Sequence, residues 1–154
     1  MDHHLNQNEA ATRDYVTMKV GNQLFGLPVL SIQDVLGCRE VTKVPLASSD
    51  IAGALNLRGR IVTVIDMRVR LDLESNIEHN ERMNIVIEKN DELYSLLVDT
   101  VGDVLSLEVE KFEKNPANIN SSWQKYADGV FRLDNELMVA LDIDKLFDSN
   151  EKRI

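Results

Sequence analysis

Asn22 to Leu36 reads NQLFGLPVLSIQDVL, and Asp91 to Leu105 reads DELYSLLVDTVGDVL. At a constant offset of 69, Leu24, Leu27, Val29, Asp34, Val35 and Leu36 meet the identical residues Leu93, Leu96, Val98, Asp103, Val104 and Leu105. Phe25 meets Tyr94 and Ile32 meets Val101 in the same register. Farther along, the offset becomes 76, so that Gly53 meets Gly129, Leu57 meets Leu133 and Asp66 meets Asp142, while Ile61 to Ile65 matches Leu137 to Leu141. The change of offset falls across the Asn-rich stretch at 113–124, where a loop tolerates insertion. Short apolar strands resemble one another by composition alone, but shared Asp and Gly anchors do not follow from composition. The repeat therefore implies a duplication: two similar β-rich lobes of about five short strands each, the pattern of small barrels.

The text around the repeat is strand-like. Tyr15 to Val20 alternates, with Val16, Met18 and Val20 on one face; Gly21-Asn22 is a hairpin turn and Gln23 to Leu27 its return strand. Pro28 suits a first helical turn, and Val29, Ile32, Val35 and Leu36 follow at helical spacing, so a short helix is expected over 28–35. Val41 to Val44 reads as a strand ending at Pro45, and Ile61 to Ile65 as a fully buried one. Residues 72–82 read as a loop. Ile85 to Ile87, the turn Asn90-Asp91 and Leu93 to Val98 open the second set, and Gly129 to Leu141 supplies a last hairpin before a helical turn over Asp142 to Phe147. The organisation expected is a flexible tail over 1–13 and one domain over 14–150, with the strand repeat at about 15–71 and 84–147.

Charge and composition exclude several classes. The 154 residues carry 26 acidic and 17 basic side chains, a formal charge of −9, with aromatics at 5%. A surface that grips nucleic acid needs basic groups interleaved with aromatics, and an anionic membrane needs basic groups too. Neither partner is expected, nor is membrane insertion, because no apolar run approaches the roughly 20 residues of a spanning helix. One cysteine, Cys38, allows no internal disulfide and suits a reducing, cytoplasmic compartment.

Catalytic chemistry is also absent from the text. His3 and His4 lie in the tail and His79 in the polar loop, Cys38 has no neighbouring base, and no phosphate-binding or nucleophile-elbow motif occurs. Glu108, Glu110 and Glu113 lack the spacing of a calcium loop. No metal or cofactor is expected, and the chain reads as an interaction module rather than an enzyme. Trp123 in a polar loop either plugs the core or stands at a contact surface.

Where the two halves differ, function is expected. The hairpin turn Leu133-Asp134-Asn135-Glu136 has as its counterpart Leu57-Arg58-Gly59-Arg60. Gly59 supplies turn freedom, but the turn does not require Arg58. In an acidic protein such an Arg is either paired with a nearby carboxylate or offered to a partner. The second asymmetric place is 28–36, where Ile32 and Asp34 stand near the end of the expected helix, unless the segment is only a crossover between strands.

Gly53-Ala54-Leu55-Asn56-Leu57-Arg58-Gly59, followed by Val62 to Asp66, Met67 and Arg68, resembles the N-L-R-G…D-L-R signature of the CheW family of chemotaxis coupling proteins. Val101 to Leu105 resembles the second-lobe V-x-D-V-L element of that family, and Gly26, Ile32 to Val35 and Tyr126 to Gly129 fall in register. The resemblance implies a mostly β fold: two SH3-like five-stranded β-barrel subdomains packed around a shared core, with a few short helices. It implies an adaptor without catalysis that bridges chemoreceptor cytoplasmic hairpin tips to the regulatory domain of the histidine kinase CheA. Such a protein is a monomer in isolation and part of rings in arrays beneath the inner membrane; a parallel circuit such as pilus motility is the alternative. Carried over by position, the receptor-binding residues are Ile32, Asp34, Arg58 and Val104, and Gly53 is the kinase-binding position. Asp34 stands where the family commonly has Glu, which keeps the charge but shortens the reach. The stretch 113–124 matches too poorly for any contact to be carried over.

Overall fold

The computed structural model describes residues 11–73, 81–114 and 121–147. Among the described residues eleven strands form two sheets. The first half supplies β1 (Thr12–Val20), β2 (Gln23–Pro28), β3 (Ile32–Leu36), β4 (Ile51–Leu57) and β5 (Arg60–Asp66), then the one-turn helix α1 (Met67–Arg70). The second half supplies β6 (Met83–Lys89), β7 (Glu92–Val98), β8 (Thr100–Glu108), the two-residue β9 (Phe112–Glu113), α2 (Ser121–Gln124), β10 (Ala127–Arg132), β11 (Leu137–Leu141) and α3 (Ile143–Leu146).

The sheets exchange strands between the halves. One runs β8-β1-β2-β11-β10-β9 and the other β3-β6-β7-β5-β4. Each is therefore a hairpin of one half completed by strands of the other, and the two orders superimpose when β1, β2, β3, β4 and β5 are matched to β6, β7, β8, β10 and β11. The pairings repeat at both offsets found in the sequence. Parallel β11 and β2 align Met138 with Leu24, and parallel β5 and β7 align Val62 with Leu93. Tyr15 faces Leu105 as Asn84 faces Leu36. Gly129 faces Ala140 as Gly53 faces Val64, each beside a bulge. A one-residue slip would turn every apolar side chain to the wrong face, so matched register in three pairs of ladders marks the duplication as structural.

Three apolar clusters follow from this exchange. Leu36, Leu55, Leu57, Val62, Val64, Val86, Leu93 and Leu97 fill one barrel. Tyr15, Leu24, Phe131, Met138 and Ala140 fill the other. Between the sheets lies the shared core, which includes Met18, Phe25, Ile65, Met67, Ile85, Leu96, Val139 and Leu146. Trp123 plugs that core: its ring stands edge-on to Phe25 at 5.4 Å, and its Nε1 donates to the Leu71 carbonyl at 3.2 Å.

The shared polar anchors have backbone work to do. Asp66 caps α1 by accepting from Arg68 N, and Asp142 caps α3 by accepting from Asp144 N. Gly53 is buried, with φ +151°, and a Cβ there would lie 2.2 Å from the Thr42 carbonyl oxygen; at Gly129 it would lie 2.3 Å from the Phe112 ring. Both glycines let a crossing segment press against the sheet.

Four expectations need correction or limits. No helix spans 28–35: Pro28 ends β2, Val29–Ser31 makes one 3₁₀ turn, and Ile32–Leu36 is a strand. The spacing was helical, but β-branched Ile32 and Val35 fit an edge strand equally well. Val41 to Val44 contributes only an isolated bridge, Thr42 to Ala54. Ile61 is 67% exposed, because on β5 the barrel-facing residues are Val62 and Val64 and Ile61 takes the opposite face. Of the expected tail, Thr12 and Arg13 already belong to β1; residues 1–10, with His3 and His4, lie outside the described residues, as does His79.

Candidate partner-binding surface

Arg58 and Gly59 form the two-residue turn between β4 and β5, with φ of +52° and +86°. Two positive values and a flanking Leu57–Arg60 pair make this a type I′ hairpin, the turn whose twist matches its strands. Asn or Gly suits its first position, and an Arg there sits in a conformation costing roughly 1–2 kcal/mol for an L-residue. Asn56 Oδ1 steadies the turn by accepting from Gly59 N at 2.9 Å. In the second half neither Asp134 nor Asn135 has a positive φ, and Leu133 N donates to the Glu136 carbonyl at 2.8 Å. Of these two equivalent turns, only the one at Arg58 is strained.

The first strand of that sheet brings Asp34 to the turn. β3 and β4 are its outermost strands, and the sheet curls until Leu36 packs with Leu55 and Leu57. At the seam Arg58 Nη2 donates to Asp34 Oδ2 at 3.3 Å, while Asp34 Oδ1 accepts from Val35 N at 2.9 Å. The Arg58 side chain is 76% exposed. The two sequence readings of Arg58, paired or offered, thus coexist: it touches a carboxylate and still presents most of its five-donor fork to solvent. In the other barrel the corresponding positions hold Asp103 and Asp134, two acids.

The other carried-over positions are distributed differently. Ile32, in the same strand as Asp34, is half-buried against the shared core. Val104 stands on β8 in the other sheet, opposite Val16, and is 57% exposed. Gly53 lies beneath the Val41–Thr42 segment and offers no surface of its own. Val35, the repeat counterpart of Val104, is also exposed, so both sheets carry an apolar residue on an outermost strand.

A group of charges that the sequence reading missed lies around α1. Arg68 Nε and Nη2 donate to the two oxygens of Asp99 at 2.8 and 2.6 Å. Arg82 donates to both oxygens of Asp66 at 2.8 and 3.1 Å. Arg70 donates to Asp50 at 2.5 Å and to the Leu146 carbonyl at 2.6 Å. Burial pushes the Asp50 carboxyl up, but the Ser48 hydroxyl and the Arg70 guanidinium outweigh it and hold the group below its usual value of 3.8. The ion-pair partners are 16 to 31 residues apart, so no local motif announces them. The group is a brace rather than a site. Asp99 also accepts from Gly21 N at 2.8 Å, tying α1 to the β1–β2 turn.

Among the described residues no cluster of three or more His, Cys, Asp or Glu is placed to hold a metal ion. Cys38 is exposed. Among the described residues no helix is long and apolar enough to cross a membrane.

Comparison with known proteins follows the same lines. The CheW-like domain family matches residues 14–151. The chemotaxis protein CheW of Klebsiella aerogenes is 29% identical over 143 residues, covering 93% of this chain and 86% of that protein. Protein PilI of Pseudomonas aeruginosa is 24% identical over 124 residues, covering 80% and 70%. The crystal structure of the scaffolding protein TtCheW from Thermoanaerobacter tengcongensis superimposes with a TM-score of 0.83 at 24% identity, covering 93% of this chain and 97% of that one, and shares the fold.

Proposed function

The chain belongs to the CheW-like domain family, and on that premise we propose that it is a non-catalytic adaptor coupling chemoreceptor hairpin tips to the histidine kinase CheA. A receptor helix lays its apolar stripe against Ile32 and Val104, and Arg58 fixes its register by hydrogen bonds. Gly53 acts on kinase coupling through the backbone, by letting Val41–Thr42 lie against β4. The adaptor works in the cytoplasm, at receptor arrays, with no cofactor.

One observation carries this reading. Arg58 is strained, exposed and only loosely paired, while its counterpart turn is relaxed and acidic. Backbone strain of this kind concentrates at functional positions. Surface ion pairs contribute at most about 1 kcal/mol, so the Asp34 contact alone does not offset the strain.

The test is reconstitution of receptor signalling fragments, kinase and this protein. Arg58→Glu should keep the fold and weaken receptor binding by about 30-fold or more, as truncating a central Arg anchor does. A folded Arg58→Glu protein that still activates the kinase normally would overturn the assignment. The PilI relative favours a second reading, the same adaptor chemistry in a pilus-motility circuit. Co-purification of the protein with its receptors and kinase decides between the two.

A further inference from the structure

At the outer end of the first hairpin, β1 and the segment after β2 border an open cavity of about 410 Å³. Its walls are Arg13, Asp14, Tyr15, Pro28, Val29 and Leu30, and Leu30 is 98% exposed. The Arg13 guanidinium stands over the Phe112 ring at 5.4 Å, and the Asp14 carboxylate accepts from the Ser106 hydroxyl. The cavity size is in the range of sites that take a small ligand or a short peptide segment.

The repeat displays what the equivalent place holds. At the offset of 69, Arg13 and Leu30 correspond to Arg82 and Asp99. Both of those are buried against α1: Arg82 grips Asp66, the cap of the turn, and Asp99 grips Arg68 two residues later. The end of the second hairpin is thus clamped to a helical turn that opens Asp-x-Arg. The counterpart turn α3 does not serve the first hairpin in this way. Its cap Asp142 accepts from Asp144 N, and the Asp144 carboxylate pairs with Lys89. The β5–β7 ladder runs on to Asp66 and Leu97, whereas the β11–β2 ladder stops at Ala140 and Gly26, two residues short of the equivalent place. That place is Pro28, which has no N–H to extend the ladder.

We propose that this cavity is a docking socket for a partner protein segment that opens a helical turn with an Asp followed by an apolar residue. The partner carboxylate sits on Arg13, and the apolar side chain that follows it packs on Pro28, Val29 and Leu30. Leu30 in the position of Asp99 takes the acid off that wall and supplies an apolar floor, while Asp14, on the opposite face of β1 from Arg13, stays bonded to Ser106. The socket shares no residue with the Asp34–Arg58 seam, and it stands whether or not the receptor reading holds.

The experiment titrates the isotope-labelled full chain with a capped peptide of residues 65–72, which carries the Asp-Met-Arg turn, and follows backbone amide shifts. Saturable shifts confined to residues 12–15 and 28–30 are expected. They should weaken about tenfold or more in Arg13→Glu, in Leu30→Ser, and with a peptide bearing Asn in place of Asp. Both substituted side chains are at the surface, and unchanged shifts elsewhere establish that each variant is folded. Absence of saturable shifts up to about 1 mM peptide, the weak limit of specific recognition, would overturn the socket. Equal binding by Arg13→Glu would overturn it as well. Binding that appears only after deletion of residues 1–10 would assign the cavity to the chain's own terminus and overturn the partner assignment.

Discussion

Arg58 Nη2 reaches Asp34 Oδ2 at 3.3 Å across the seam where the first and last strands of one sheet meet. The contact joins residues 24 apart in sequence and holds a side chain whose own backbone is in the left-handed region. Barrel closure thus places an anionic group beside an exposed cation, on the molecule's exterior.

Replacing Arg58 by Asn should stabilise the protein while disabling it. Asn-Gly is the preferred type I′ pair, so relief of the left-handed Arg should raise unfolding free energy by about 1 kcal/mol. Receptor binding should fall together with the lost fork. Urea titration alongside a receptor pull-down reads both; loss of stability in Arg58→Asn would refute the strain argument.

Gly53→Ala should behave as a structural lesion first. The added Cβ meets the Thr42 carbonyl at 2.2 Å and Val41 Cγ1 at 2.7 Å, in a backbone conformation that alanine disfavours. A loss of about 1–3 kcal/mol is expected. Amide exchange should localise the loosening to Val41–Thr42 and β4, with any kinase defect tracking it. A kinase defect in a variant of unchanged exchange would overturn this structural route.

Removing one partner of the buried brace should be severe. Arg68→Ala leaves Asp99 charged beneath the surface, at about 3–5 kcal/mol. Equilibrium unfolding measures it. The double variant Arg68→Met with Asp99→Leu should recover much of that loss, because an apolar pair leaves no charge behind; no recovery would show that the bonds themselves, rather than the orphaned charge, dominate.

The Asp50–Arg70 pair predicts a pH dependence. The Asp50 carboxyl is held below its value in the unfolded chain, so its contribution to stability is present above about pH 4 and is lost as pH falls through the lower, folded value. Asp50→Asn should therefore lose less stability than the parent between about pH 5 and pH 3. Parallel acid titrations of the two proteins would contradict this.

The repeat was legible because strand pairing preserves it: Leu24 with Leu93 and Met138 with Val62 occupy equivalent rungs, so sequence offsets and ladder registers coincide. The segment from Pro28 to Leu36 misled because apolar residues at three- and four-residue spacing fit a helix, while in the fold an edge position and β-branching decide for an extended chain. Arg58 was visible as an asymmetry, but its strain and its Asp34 contact depend on barrel closure, which no local pattern encodes. Arg82 and Asp99 were invisible for the same reason: their partners arrive from distant parts of the chain.

Neither half of this chain owns a whole sheet, since each hairpin is completed by the other half's strands. A precursor with a single unit would have had to find a second copy of itself, and its two ends would then have been bound to be identical. Joining the copies in one polypeptide removed that obligation. One end carries an arginine at the tip of its turn where its twin carries an aspartate, and a nearly symmetric body has a head and a tail.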